Sequence, residues 1–122
     1  MHYLRLYAGA DGASHFADGD AELLPVEFVP GRPLVDLSAP TAATATAFAH
    51  LPAGWVGDYH PSPRRQLVIP VRGELVVTAS DGETRHIGPG TIWLLEDTSG
   101  TGHLTRVPDS DDFIRVLVWL AG

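Results

Sequence analysis

The stretch GDYHPSPRRQLVIPVRG, residues 57–73, carries the reading on which the fold turns. A histidine, His60, stands ahead of a Pro-Ser-Pro turn, and Gln66 opens an apolar segment that closes at Gly73. Residues 66–72 are rich in Leu, Val and Ile, the composition of a strand. Outward from this stretch, helical periodicity is hard to find. The chain holds 13 glycines and 10 prolines, which interrupt it too often for a helix of normal length. Short apolar or alternating segments recur instead, and they predict strands near 3–7, 22–28, 45–51, 57–60, 66–72, 74–79, 84–87, 91–95, 103–107 and 113–120. ASDGET (79–84) predicts a hairpin, because Asp-Gly suits the positive φ of a two-residue turn. Many short, closely spaced strands point to a sandwich or barrel.

Two segments read as looser. GADGASHFADGD (9–20) has the composition of a loop, and PGRPLVDLSAPTAATAT (30–46) that of an extended connection. The closing FIRVLVWL (113–120) is almost continuously apolar, as a strand buried on both faces would be.

Composition narrows the chemistry. The 122 residues suit one domain with one core, burying roughly two-thirds of the unfolded chain's surface. Without cysteine there is no disulfide, thiolate ligand or thiol nucleophile. The net charge is −7, and all 8 basic residues are arginine, so Schiff-base chemistry through a lysine is excluded. An acidic chain without basic clusters argues against nucleic acid and anionic membranes as partners. No apolar run reaches the roughly 20 residues that span a bilayer, and no secretory signal pattern opens the chain. A cytoplasmic protein is the expectation.

From Gly54 the spacing runs five residues to His60, one to Ser62, three to Gln66 and six to Gly73. This resembles the first motif of the cupins, which has His, His and Glu at those three inner positions. The second cupin motif is matched by GETRHIGPGTIWLLEDTSGTGH (82–103), with Pro89-Gly90, a strand and a closing His103. The interval between Gly90 and His103 is several residues longer than in the family. SHF (14–16), HPSPRRQ (60–66) and LEDTSGTGH (95–103) further resemble a group of small single-domain bacterial cupins. The resemblance implies an all-β, double-stranded β-helix, or jelly-roll barrel, forming one domain over 1–122. Residues 1–53 would supply N-terminal strands and an arm, 54–73 the first motif, 82–103 the second, and 104–122 the closing strands. It also implies a small-molecule ligand and a homodimer.

A cupin's metal ligands fall here on His60, Ser62, Gln66 and His103. Ser62 and Gln66 bring no charge, so His60, Gln66 and His103 would leave a divalent ion unneutralised. A metal-free pocket is the expectation, with Zn, Fe, Ni or Cu on those three residues as the alternative. Imidazole is the side chain whose ordinary pKa lies near neutrality, so His60 and His103, assisted by Gln66, read as proton-transfer groups. The expected activity is a cofactor-independent isomerase, dehydratase or cyclase. The alternatives are a non-catalytic ligand-binding barrel and a metal-dependent oxygenase. Ser62, Arg64, Tyr59, Trp93 and Glu96 are the expected substrate contacts, Arg64 by sharing strand parity with Gln66. Asp97 reads as a turn residue whose side chain bonds to its own backbone, and Glu96 as a candidate to orient His103. His15 either covers the barrel mouth or sits in a loop, while His2, His50 and His86 have no motif support.

Overall fold

A computed structural model describes residues 1–122. Eleven strands form in the order β1 (His2–Ala8), β2 (Ser14–Asp20), β3 (Leu23–Val26), β4 (Val35–Ser38), β5 (Ala43–Leu51), β6 (Gln66–Arg72), β7 (Leu75–Ala79), β8 (Thr84–Ile87), β9 (Trp93–Glu96), β10 (His103–Arg106) and β11 (Phe113–Leu120). They make a six-stranded sheet, β2-β1-β9-β6-β11-β5, a three-stranded sheet, β10-β7-β8, and a separate hairpin, β3-β4. No helix is long and apolar enough to cross a membrane.

Period-two alternation builds the core. On β6, Gln66, Val68 and Pro70 are buried while Ile69 and Val71 face out. Leu4, Leu6, Val68, Trp93, Leu95 and Phe113 of the large sheet join Leu75, Val77, Ala79 and Ile87 of the small one in a single buried cluster. β11 departs from the expectation of burial on both faces. Only its end residues, Phe113 and Leu120, are fully buried, and Val116 and Val118 lie opposite Phe48 and Thr46 on an outward face.

Four further expectations need correction. Residues 9–20 are not all loop, because β2 pairs with β1 from His2↔Asp20 to Ala8↔Ser14. Tertiary pairing overrides the weak β propensity of SHFADGD, and the Tyr3 ring lies where a side chain on Gly19 would be. Within 30–46, Val35–Ser38 pairs with Leu23–Val26 as β4. Residues 57–60 form no strand; two isolated bridges, Val56↔Arg106 and His60↔His103, tie that segment to the small sheet. The prolines and Ser62 that follow leave no run of free amides to extend the pairing. The β7–β8 loop is also longer than two residues. Gly82, at φ +100°, donates to the Ala79 carbonyl and Ala79 donates to the Glu83 carbonyl, enclosing Ser80–Gly82.

Candidate functional site

Register sets the inner face of the large sheet. Gln66 on β6 lies directly opposite Leu95 on β9 and Trp119 on β11, so these three side chains share one side. Alternation then places Leu117 and Arg115 on that side too. The His60↔His103 bridge brings two imidazoles toward it, with ring centroids 5.1 Å apart. Together they enclose a cavity of about 290 Å³ whose wall includes His60, Ser62, Arg64, Gln66, His103 and Arg115. A larger groove of about 470 Å³ lies outside the barrel, beside the β3–β4 hairpin. Of the ionisable groups lining it, His2 bonds Asp18, Arg65 bonds Glu96 and the Met1 amine bonds Asp20. The smaller cavity is the candidate site, because His60, Ser62, Arg64, Gln66, His103 and Arg115 converge on it.

Hydrogen bonds fix the imidazoles. His103 is 3% exposed, and its Nδ1 lies 2.6 Å from Oδ2 of Asp97, which is fully buried. A carboxylate accepts, so Nδ1 carries a proton, and in the neutral ring Nε2 keeps its lone pair. Trp93, also fully buried, meets the His103 ring edge-on at 5.6 Å. His60 sits at the exposed rim, and its Nδ1 donates to the Pro61 carbonyl at 2.9 Å. A carbonyl can only accept, so Nε2 of His60 is again the unprotonated atom of the neutral ring. Two free imidazole lone pairs therefore serve one cavity.

Ser62 is otherwise engaged. Its hydroxyl donates to the Arg64 carbonyl at 2.6 Å and accepts from Nε2 of Gln66 at 3.2 Å. That leaves Oε1 of Gln66 buried without a donor. Arg64 lies over the Trp119 ring, 3.9 Å from its centroid, in a cation–π contact.

Three expected substrate contacts lie elsewhere. Tyr59 is exposed and outside the cavity wall, because the chain at 57–60 is held by bridges and not by a continuous strand. Trp93 packs behind His103, in the core. Glu96 falls on the opposite side of β9, where Arg65 and Arg5 donate to it at 2.5 and 2.6 Å. Burial pushes the Glu96 carboxyl up, but those two guanidinium groups outweigh it and hold its pKa below the ordinary value. Stability from this lowered pKa is present above the unfolded value and lost as pH falls through the folded one. Glu96→Gln is therefore expected to cost about 1–2 kcal/mol at pH 7. The difference from the parent should shrink toward zero as denaturation is repeated at successively lower pH below about 4.5.

Sequence reasoning missed two residues. Asp97, read as a turn residue, is the partner of His103. The interval that lengthens the second motif forms a loop in which Gly100 packs on Gly12 and Thr101 donates to the Gly12 carbonyl. This loop leaves Asp97 behind the imidazole. The other is Arg115, the one charge inside FIRVLVWL, and that isolation was the available signal. His15 is on β2, outside the cavity wall, held by Asp11 and Asp81, whose hydrogen bonds raise its pKa. His2, His50 and His86 pair with Asp18, Asp112 and Glu74 at the surface.

Two facing sheets wound into a barrel, with a histidine pair inside one end, define an all-β jelly roll, and the fold is that of the cupins. No protein-family model matches the chain, and no curated protein does. Solved structures share the fold. A cupin domain protein from Bordetella pertussis Tohama I is similar over 85% of this chain and 98% of its own, with TM-score 0.51 and 15% identity. DMSP lyase DddQ from Ruegeria pomeroyi DSS-3 is similar over 82% of this chain, with TM-score 0.54 and 22% identity; the match spans only 47% of that longer protein. Protein NMB1881 from Neisseria meningitidis is similar over 62% of this chain and 72% of its own, with TM-score 0.51 and 20% identity.

The fold raises the question of a metal, and the side chains answer it poorly. No three His, Asp or Glu side chains converge on a point that would hold an ion. The Ser62 hydroxyl is engaged in donating to the Arg64 carbonyl, and Oε1 of Gln66 is buried. Two neutral imidazoles beside the guanidinium of Arg115 offer no charge to a divalent cation. The donor set at His60, Gln66 and His103 does not fit one.

Proposed function

We propose that the protein is a small-molecule enzyme that moves a proton within its substrate. The observation that carries this reading is the pair of free Nε2 atoms, each fixed by a hydrogen bond at Nδ1. Nε2 of His103 takes a proton from a carbon next to a carbonyl, and the electron pair flows onto the carbonyl oxygen. Asp97 stabilises the imidazolium that forms in this buried position. His60, at the exposed rim, first takes a proton from solvent on its Nε2 and delivers it to the carbon or oxygen that needs it, while the proton held on Nε2 of His103 is released to solvent to complete the cycle. Isomerisation results if the proton returns to a different atom. Elimination or ring closure follows if the electron pair expels a leaving group or attacks within the molecule. Gln66 holds the first-motif turn by its bond to Ser62 and takes no proton.

The test needs no knowledge of the natural substrate. In D2O, wild-type protein is expected to speed exchange of the C3 protons of 2-oxobutanoate, followed by NMR. His103→Ala should lower that rate about 10²- to 10⁴-fold while the fold survives. Binding without exchange, in wild type and variant alike, would leave a ligand-binding barrel and remove the enzyme.

A further inference from the structure

We infer that Arg115 is a carboxylate-recognition residue, and that the cavity takes small organic acids as their anions. This deepens the proton-transfer reading and rests on it for the choice of cavity. Three observations converge. First, Nε of Arg115 is buried and donates to nothing. Second, burial alone pulls the guanidinium's pKa below its usual value, and no carboxylate acts to raise it. The guanidinium stays charged, so with its Nε buried it stands as a partly desolvated cation without a carboxylate partner. Third, the chain carries a net charge of −7, yet the cavity wall has Arg64, Arg115, His60 and His103 and no acid. No carboxylate lines the cavity beside Arg115, and Asp97, the acid hydrogen-bonded to the wall, is taken up by His103.

The geometry favours one kind of anion. Arg115 extends from β11 opposite Pro70 of β6 and Ala49 of β5, neither of which offers a side-chain acceptor. A planar fork with free donors matches the two oxygens of a carboxylate. Arg64 is stacked on Trp119 at the wall, so a single unpartnered guanidinium serves the ligand, which suits a monoanion better than a phosphate dianion. With its carboxylate on Arg115, a short oxo acid would turn its neighbouring carbons toward the two histidines that share the cavity. The guanidinium would also draw electron density toward the carboxylate end and fix which carbon loses its proton.

Calorimetry with 2-oxobutanoate, its neutral amide and inorganic phosphate tests this on wild type and Arg115→Met. Wild type is expected to bind the acid at least tenfold more tightly than the amide or phosphate. Arg115→Met should weaken acid binding about 10- to 100-fold and leave amide binding unchanged. The ligand-free variant should melt no lower than wild type, because it no longer desolvates a cation that has no carboxylate partner. Should the methionine variant fail to accumulate, Arg115→Gln carries the same binding expectation. Equal binding of acid and amide, tighter binding of phosphate, or no binding of any of the three by wild type overturns the inference. So does unchanged acid binding in the variant, and the proton-transfer reading would then stand or fall on the exchange assay alone. Conversely, acid binding lost on Arg115 substitution with no exchange in wild type keeps this inference and removes the enzyme.

Discussion

Gly102→Ala is expected to unmake the site, at a cost of about 3 kcal/mol or more, the largest structural effect anticipated here. Gly102 has φ +77°, a conformation that costs any other residue about 1–2 kcal/mol. The added Cβ would also lie 2.0 Å from the His60 carbonyl oxygen, 2.1 Å from its carbon and 2.3 Å from the Pro61 nitrogen. These are backbone atoms, so no rotamer change relieves the overlap. They belong to the segment in which His60 and His103 exchange hydrogen bonds at 3.1 and 3.0 Å. Ser14 is coupled as well, since its hydroxyl donates to the Gly102 carbonyl at 2.7 Å. The control is Gly82→Ala, with φ +100° and nothing within 4 Å of a Cβ. That variant should show only the conformational penalty. Urea denaturation of both isolates the clash: equal losses would mean that 60 and 102 do not meet as closely as described.

Asp97→Asn is expected to lower the exchange rate about 10²- to 10⁴-fold with little change in fold. Asparagine keeps an acceptor for Nδ1 of His103, so the ring stays in place. What is lost is the charge that stabilises an imidazolium in a site screened from water, where the absence of a counterion is felt most. Asp97→Ala goes further. It leaves the Nδ1 proton of a buried histidine without a partner, a cost of about 1–3 kcal/mol in stability besides the rate. A rate unchanged in Asp97→Asn would assign Asp97 to structure alone.

Much of this was legible in the sequence where local pattern and tertiary role agree. The strands at 66–72, 84–87 and 113–120 have the bounds that apolar runs and turn residues predict. The resemblance of the spacing around His60, and of the closing His103, to the two cupin motifs points to two side chains that do meet. Where local chemistry allows two outcomes, the sequence was silent. Asp97 in EDTSGTG satisfies a turn as well as it satisfies an imidazole, and its partner His103 and the Ser62 amide that holds its carbonyl are set by tertiary packing. SHFADGD has the composition of a loop and becomes β2 because β1 supplies a partner along its whole length. Arg115 was lost by averaging, since one charge among seven apolar residues hardly alters the character of a strand. Its meaning comes from what lies opposite, Pro70 and Ala49, which no local window contains.

The most direct measurement is NMR of protein labelled with ¹⁵N at histidine, recorded without ligand above the pH at which the rings lose their second proton. Both His60 and His103 should carry that remaining proton on Nδ1, with Nε2 bare, and adding 2-oxobutanoate should perturb both Nε2 signals. A proton on Nε2 of either ring would contradict the account, because the cavity would then lack the lone pair on which its chemistry depends.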